Sequence, residues 1–326
     1  MKKIICSLLA VLLLVTMLSG CSSTKVGSVN GVSFDADTYN FYVTQIEKQL
    51  GVNTYGEGWE TVELEGKKLV DIVREEAITE LAISIIVRQK AKENGLEITQ
   101  LDKDKLESQI TSMKNSIGSD ADYELWLLEQ GLTEKVYREF IEYSLLSSKL
   151  VEKLIPDVSE EDLLKYYNEN VAHVKHILVK TVDDDMNSVS GDEFAKKQAL
   201  AYDYLKRAKA GEDFDKMVND LSEDPGSQSE PEGYYLGKGF ILGTTGGMLT
   251  EFETASLALK VGEISDPVET IYGYHIIKRY ENDREAFDTH YEQLQANIKS
   301  VKYSAMLDQW RSEAKVEINE DVIESL

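Results

Sequence analysis

The chain has 326 residues, 59 acidic and 35 basic, which gives a formal net charge of −24. This length allows two domains with their own hydrophobic cores. The excess of carboxylates argues against nucleic acid as a partner, because phosphate backbones are bound through clustered lysine and arginine.

The first twenty residues have the pattern of an export signal. Two lysines precede an apolar stretch over residues 4–18, which is too short for a comfortable bilayer span. The Leu-Ser-Gly-Cys sequence that follows resembles the motif cut by the lipoprotein signal peptidase. We expect a signal peptide over residues 1–20, with Cys21 then carrying a lipid that holds the protein at the extracytoplasmic face of the cell membrane. The alternative is an ordinary signal peptide followed by an incidental cysteine.

Cysteine usage limits the chemistry of the mature chain. The sequence contains two cysteines, and Cys6 would leave with the signal. With Cys21 alone remaining, we expect no disulfide, no thiol nucleophile and no thiolate metal site.

The N-terminal half is predicted to be mostly helical. After a strand-like segment at 27–33, apolar residues recur at three- and four-residue spacing, and Ser159 with Asp162 forms a capping-box pattern. Nothing in this half has a catalytic pattern. The predicted helices cover residues 35–50, 67–93, 102–117, 134–154 and 163–170.

Two strand-like runs with matching histidines enclose the next segment. Residues 173–180 and 273–278 alternate apolar and polar side chains, and they contain His176 and His275. Between them, helices are predicted at 192–210, 214–221 and around 252–259, with a short strand at 268–270. The segment therefore predicts a compact α+β domain of about a hundred residues.

After Tyr280 a helical pattern returns. Its apolar residues repeat at four-three spacing from Phe287 onward and predict one helix about 45 Å long. We expect its apolar stripe to pack on the helical N-terminal half. Residues 316–318 are predicted to form a strand that pairs with the segment after Lys25.

Six short motifs in a fixed order carry a family resemblance. Each is unspecific alone, but together over about a hundred residues they resemble the parvulin family of peptidyl-prolyl cis/trans isomerases. The flanking segments resemble its lipoprotein foldase branch, the extracytoplasmic chaperone-isomerases. The motifs are His176-Ile177-Leu178, Gly211-Glu212-Asp213-Phe214, Leu221-Ser222-Glu223-Asp224, Gly247-Met248 with Phe252-Glu253, Gly262-Glu263-Ile264-Ser265 and Gly273-Tyr274-His275-Ile276-Ile277.

The resemblance implies a fold class and a domain plan. It implies a mostly α-helical chaperone domain built from N- and C-terminal segments, with an inserted α+β parvulin domain, a small antiparallel sheet flanked by helices. The expected ranges are 1–20 for the signal, 21–170 for the N-terminal helical part, 171–282 for the parvulin domain and 283–326 for the C-terminal helix and strand.

The resemblance also implies site residues. Rotation about the bond before proline breaks no bond, so neither cofactor nor metal is expected. The two histidines match a pair that lies beneath the site and is joined by hydrogen bonds. The implied catalytic residues are His176, Asp224 and His275, and the implied substrate-binding residues are Leu236, Met248, Phe252, Thr270 and Tyr272.

Two departures from the family pattern bear on activity. The usual Gly-Gly-Asp-Leu-Gly run reads Gly-Tyr-Tyr-Leu-Gly over residues 233–237, and about six extra residues at 240–245 follow it. We expect this insertion to border the pocket and to limit substrate access. Phosphate-directed members carry arginines after the first strand, whereas here three aspartates follow at 183–185, so we expect no preference for phosphorylated substrates.

The leading hypothesis is a lipid-anchored isomerase and chaperone for exported proteins. Its partners would be unfolded or partly folded chains with X-Pro bonds and, through its lipid, the membrane. The resemblance allows a homodimer through the helical domain. A second hypothesis is a non-catalytic holdase chaperone with a degenerate parvulin domain, supported by the insertion. A third, a solute-binding lipoprotein of a transporter, expects two similar α/β lobes and is disfavoured by the helical N-terminal half.

Overall fold

The computed structural model describes residues 24–326 apart from 57, 65 and 184. The predicted signal peptide and Cys21 lie outside the described residues. The chain divides into two compact units, the first made of residues up to 156 together with 303–326, and the second of residues 157–302. Within the described residues no helix combines the length and apolarity that a bilayer span requires.

The chain up to residue 156 is mainly helical, as expected. A hairpin opens it, and two short 3₁₀ turns precede the long second helix. The regular elements are β1 (Lys25–Val29), β2 (Val32–Asp35), α1 (Ala36–Gln49), β3 (Glu63–Leu64), β4 (Lys67–Lys68), α2 (Leu69–Glu93), α3 (Gln100–Ile117), α4 (Asp120–Glu129) and α5 (Glu134–Leu154).

The remainder of the described chain alternates strands and helices before it ends in helices. These elements are α6 (Glu160–Asn170), β5 (Ala172–Lys180), α7 (Gly191–Lys209), α8 (Phe214–Leu221), α9 (Gly226–Ser229), β6 (Tyr234–Gly237), β7 (Phe240–Ile241), α10 (Thr250–Ala258), β8 (Val268–Thr270), β9 (Gly273–Tyr280), α11 (Arg284–Thr289), α12 (Tyr291–Glu313), β10 (Val316–Ile318) and α13 (Glu320–Ile323).

The first unit joins the two ends of the described chain in one sheet. Strand β1 lies between β2 and β10, and Ser28 stands opposite Glu317 in the antiparallel pair β1–β10. Side chains from β1, α1 and α2 form the core beside this sheet, together with Ile323 from α13. The predicted pairing of residues 316–318 with the segment after Lys25 is confirmed, and so is the predicted fold class.

Local capping explains where several helices begin. Thr99 caps α3 because its hydroxyl accepts from the Asp102 N–H while the Asp102 carboxylate accepts from the Thr99 N–H. Helix α4 has no counterpart among the predicted helices. Its exposed Leu125 and Leu128 blur the apolar stripe, since Tyr123 and Leu127 are the residues that it buries.

The second unit is built on an antiparallel sheet. In the described chain, five strands take the order β7-β6-β5-β9-β8. Strands β6 and β7 are absent from the predicted elements because four and two residues are too few to display a period. They extend the sheet on the side of β5 opposite β9.

The two faces of this sheet pack against different helices. Successive strand residues point to opposite faces. Ile177 and Ile276 belong to the core that includes Ala201 and Leu205 of α7 and Phe214 of α8. Val174 and Ile277 belong to the core that includes Phe252 of α10. His176 of β5 and His275 of β9 lie on this second face.

The C-terminal helix differs from its prediction in two ways. It is interrupted at His290, between α11 and α12. Phe287 and Leu294 are fully buried in a cluster with Leu163 and Tyr167 of α6, inside the second unit. The first turns of the stripe therefore pack on α6, which lies within the predicted N-terminal part 21–170 but belongs to the second unit. The compact second unit consequently extends over 157–302, beyond the range 171–282 expected for the parvulin domain.

A buried amide fastens α12 to the start of the second unit. The Gln295 side chain, 6% exposed, donates to the Val158 carbonyl over 2.6 Å and accepts from the Val158 N–H over 3.0 Å. One side chain thus satisfies both backbone groups of a residue in the interior. No local pattern in the sequence announces this pairing, because the partners are 137 residues apart.

We predict that Gln295→Leu destabilises the protein by about 2–4 kcal/mol, because two buried backbone groups lose their partners. Calorimetric unfolding of the full chain measures the effect. Gln309→Leu, on an exposed position of the same helix, is the matched control and is expected to cost less than about 0.5 kcal/mol. Equal losses in the two variants would contradict the prediction.

Candidate active site

A cavity of about 390 Å³ opens on the histidine-bearing face of the sheet. Apolar and ionisable side chains share its wall, which is the combination expected of a binding site. The lining residues are His176, Leu178, Lys180, Val182, Asp183, Met186, Asp224, Pro225, Tyr234, Met248, Leu249, Phe252, Tyr272 and His275.

Strand register brings the two histidines together. In the β5–β9 ladder His176 pairs with Ile277 and Leu178 pairs with His275. His176 and His275 are therefore diagonal neighbours on one face, at a separation that aromatic side chains bridge. Their ring centroids lie 5.1 Å apart with the planes inclined by 48°.

The hydrogen bond expected between the imidazoles is not present. Within the described residues, neither nitrogen of His176 has a hydrogen-bond partner, and Nδ1 of His275 has none. Nε2 of His275 instead shares a 2.9 Å hydrogen bond with the Thr270 hydroxyl. The two inclined rings therefore meet through van der Waals contact and not through a hydrogen bond.

Burial keeps both imidazoles uncharged near neutral pH. Desolvation lowers the pKa of His176 to about 4, against the opposing effect of the Asp224 charge. Desolvation, followed by the neighbouring His176, lowers the pKa of His275 to about 3. Nε2 of His176 lies 3.5 Å from Oδ2 of Asp224. Because the ring is neutral, this approach is not an ion pair.

Asp224 is held beside β5 by the backbone around it. The Glu223 N–H donates to the Leu178 carbonyl over 2.9 Å, and the Leu178 N–H donates to the Ser222 hydroxyl over 3.1 Å. These bonds fix the residues before Asp224 to the strand next to His176. The Asp224 carboxylate then accepts from Tyr234 and Ser227 at Oδ2, over 3.0 and 3.1 Å.

Phe252 and Met248 supply the apolar wall. Phe252, on α10, is 3% exposed and meets both imidazoles edge-on, with centroid distances of 4.9 Å to His176 and 5.2 Å to His275. Met248 lies just before α10 and packs against the same cluster as Phe252. An aromatic ring and a flexible thioether make a surface that suits a small apolar ring.

The other predicted substrate-binding residues occupy different places. Tyr272 lines the cavity and is 40% exposed. Leu236 is fully buried in the cluster that contains Phe252, so among the described residues it supports the wall without lining it. Thr270 is not among the lining residues, but its hydroxyl contacts His275 and accepts from the Tyr272 N–H, and both of these residues line the cavity.

The insertion at 240–245 does not border the cavity as expected. Among the described residues that line the cavity, none comes from 237–246. Phe240–Ile241 forms β7, and Leu242 is buried with Phe287 and Leu294. Gln293 of α12 donates to the Ile241 and Thr244 carbonyls over 3.0 and 3.1 Å. The extra residues therefore pack against the helices, and the cavity stays open.

Several lining residues have no place among the predicted site residues. Leu178 shares the face of His176 by simple alternation, so the strand pattern already contained that signal. Tyr234 requires β6, a strand too short to recognise in the sequence. Met186 belongs to a loop with no periodic pattern, and its φ of 63° places it in the left-handed region.

The described part of the chain contains no candidate metal-binding cluster. No group of three or more His, Cys, Asp or Glu side chains there is arranged to hold a metal ion. The arrangement offers an apolar seat, two neutral imidazoles and the Asp224 carboxylate on the wall of one cavity. Such a surface suits binding and electrostatic stabilisation of a neutral, strained group.

Comparison with known proteins defines the class of the second unit. Residues 176–281 match the rotamase model, the PPIC-type PPIASE domain. A crystal structure of peptidylprolyl isomerase (PrsA) from Bacillus anthracis aligns with a TM-score of 0.36 at 22% identity, over 72% of this chain and 94% of that one. The family match makes this unit a parvulin-type peptidyl-prolyl isomerase domain.

Relatives extend the match to most of the chain. A foldase protein PrsA of Clostridium botulinum (strain Langeland) is 30% identical over 292 residues, covering 82% of this chain and 79% of the relative. One from Caldanaerobacter subterraneus subsp. tengcongensis is 31% identical over 293 residues, covering 85% and 82%. The chain belongs to the family of PrsA foldase proteins. It has peptidyl-prolyl isomerase activity and a chaperone role.

We predict that His176 and His275 stay neutral in the folded protein between pH 7 and pH 5. Their unfolded-state pKa is near 6.5, so acidification protonates the unfolded chain first and stability falls through this range. Each histidine contributes a loss of about 2 kcal/mol between pH 7 and pH 5. Imidazole NMR resonances that titrate near pH 6.5 in urea but stay constant in the folded protein would bear this out. Titration of either ring above pH 5.5 in the folded protein would contradict it.

Proposed function

We propose that the cavity on the histidine face is the site of peptidyl-prolyl isomerisation. His176, Asp224 and His275 form its polar part. Met248 and Phe252 seat the proline ring, Tyr272 contacts the substrate at the rim, and Leu236 and Thr270 hold the wall and His275 from behind. The observation that supports this most is the meeting of an apolar seat and a carboxylate over two neutral imidazoles.

The proposed mechanism uses no covalent step. The planar amide owes its barrier of ~18–20 kcal/mol to resonance that places negative charge on oxygen. A carboxylate beside the carbonyl disfavours that planar form, and a dry wall disfavours its dipole relative to the twisted amide. Asp224 supplies the charge, and the buried imidazoles supply uncharged surroundings. Together they need to lower the barrier by about 5 kcal/mol to accelerate exchange between ~10³- and 10⁴-fold.

The proposed substrates are unfolded or partly folded exported proteins with X-Pro bonds. The relatives bear the name foldase protein, which supports this client class. We propose that Cys21 carries a lipid and that the protein assists folding outside the cytoplasmic membrane, anchored to its extracytoplasmic face. The lipobox-like sequence before Cys21 supports that location. A homodimer through the helical unit is part of the same proposal.

The holdase hypothesis has lost the observation that favoured it. Its support was an insertion expected to obstruct the cavity, and those residues pack on α11 and α12 instead. We therefore assign the parvulin unit a catalytic role and the helical unit the chaperone role.

We predict that Asp224→Asn lowers kcat/KM for a proline peptide by about 10- to 100-fold, because the charge beside the carbonyl is lost while the shape is kept. We expect His176→Ala to lower kcat/KM by a similar factor. The measurement is isomerisation of a proline tetrapeptide by the purified full chain, followed by NMR exchange.

Asp203→Asn, at an exposed position on α7, is the matched control and should retain the full rate. Unchanged isomerisation and unchanged client refolding in both Asp224→Asn and His176→Ala would favour a holdase over the proposed enzyme site.

We predict that Cys21→Ser abolishes lipid attachment. Cells fed an alkyne-labelled palmitate should label the wild-type chain and the Cys6→Ser control, since Cys6 would be removed with the signal. The Cys21→Ser chain should remain unlabelled and leave the membrane fraction. Labelling of Cys21→Ser would refute the anchor.

A further inference from the structure

Tyr234 contacts two of the proposed catalytic side chains at once. It lies on β6 opposite Val174 of β5, two residues before His176 on the same face. Its ring stacks on His176 with a centroid distance of 5.8 Å and an angle of 26°. Its hydroxyl donates to Oδ2 of Asp224 over 3.0 Å.

This contact departs from the family pattern quoted for residues 233–237. Where the run usually has glycine, this chain has Tyr234, and glycine has neither a ring nor a hydroxyl. Burial, followed by the Asp224 charge, raises the pKa of Tyr234 above its ordinary value. The hydroxyl therefore keeps its proton and remains a donor throughout the working pH range.

The absence of a side chain at Gly226 leaves room for the Tyr234 hydroxyl. A Cβ placed on Gly226 would lie 1.9 Å from the Tyr234 hydroxyl oxygen and 3.1 Å from Oδ2 of Asp224. Any larger residue at this position must displace the tyrosine from the carboxylate. The backbone of Gly226 does not have a positive φ, so the lack of a side chain is what matters here.

Among the described residues, the hydroxyls of Tyr234 and Ser227 donate to the Asp224 carboxylate. Both hydrogen bonds are made to Oδ2. Two donors on one oxygen restrain the orientation of the carboxylate, and within the described residues no hydroxyl donates to Oδ1. The stacked ring meanwhile restrains the plane of His176. One side chain thus fixes the relative placement of the charge and the imidazole.

We propose that Tyr234 is a positioning residue of the isomerase. It orients Asp224 relative to His176, and the absence of a side chain at Gly226 leaves room for its hydroxyl. The inference rests on the proposed catalytic role of Asp224. It assigns to this chain a hydrogen bond that a glycine at the same position cannot make.

The test compares Tyr234→Phe, Gly226→Ala and the double variant in the full chain, with kcat and KM measured separately on a proline tetrapeptide. Tyr234→Phe keeps the ring and loses the hydroxyl, whereas Gly226→Ala keeps the hydroxyl and displaces it. We expect each to lower kcat by about 5- to 20-fold with KM nearly unchanged, the effect of one hydrogen bond to a charged group.

The double variant should be no slower than Tyr234→Phe, because both changes remove the same bond. Tyr235→Phe is the matched control. Its hydroxyl donates to Asp283, its ring stacks on His173, and its loss should leave kcat unchanged. Calorimetric unfolding of every variant separates a loss of activity from a loss of folding.

Three outcomes would overturn the inference. Wild-type kcat in Tyr234→Phe beside a slow Asp224→Asn would refute the role of Tyr234 and leave the proposed site intact. Multiplying losses in the double variant would show that Gly226 and Tyr234 act separately. Wild-type kcat in Asp224→Asn would refute the proposed role of Asp224 and this inference with it.

Discussion

The antiparallel register of β5 and β9 is the constraint on which the rest of the site depends. It pairs Leu178 with His275 and His176 with Ile277, so two imidazoles nearly a hundred residues apart meet on one face. A slip of one residue would turn one histidine to the opposite face, into the core against α7 and α8. The same alternation places Ile177 and Ile276 in that core. The paired strands β5 and β9 therefore both bury the apolar core and position the two histidines.

Burial of the imidazoles follows from this register and sets their chemistry. Phe252 covers both rings edge-on, and desolvation keeps them neutral even though a carboxylate lies close by. A charged pair in the same place would bind water and counterions. A neutral pair under an apolar wall instead provides rigid, weakly polar surroundings, which suits a reaction that passes through a twisted amide.

Strands β6 and β7, on one side of β5, show where the altered run at 233–237 and the residues inserted after it lie. Strand β6 brings Tyr234 over His176, and β7 turns the inserted residues towards α11 and α12. The insertion thereby becomes part of the packing that extends the second unit to residue 302. In the first unit, β1–β10 pairing plays the corresponding part, because it ties the last strand to the first.

The sequence by itself determined the elements with a clear period or an ordered set of motifs. The strands around His176 and His275, helix 214–221, the terminal strand and the apolar character of the wall at Met248 and Phe252 all follow from alternation, spacing or family motifs. Short strands, the turn at His290 and the burial of Leu236 have no local signature. Only the tertiary structure decided these features, because each depends on partners that lie far away in the chain. The same holds for the tilt that leaves the imidazoles without a mutual hydrogen bond and for the reach of Tyr234 to Asp224. Both result from packing between strands and loops that a one-dimensional pattern does not contain.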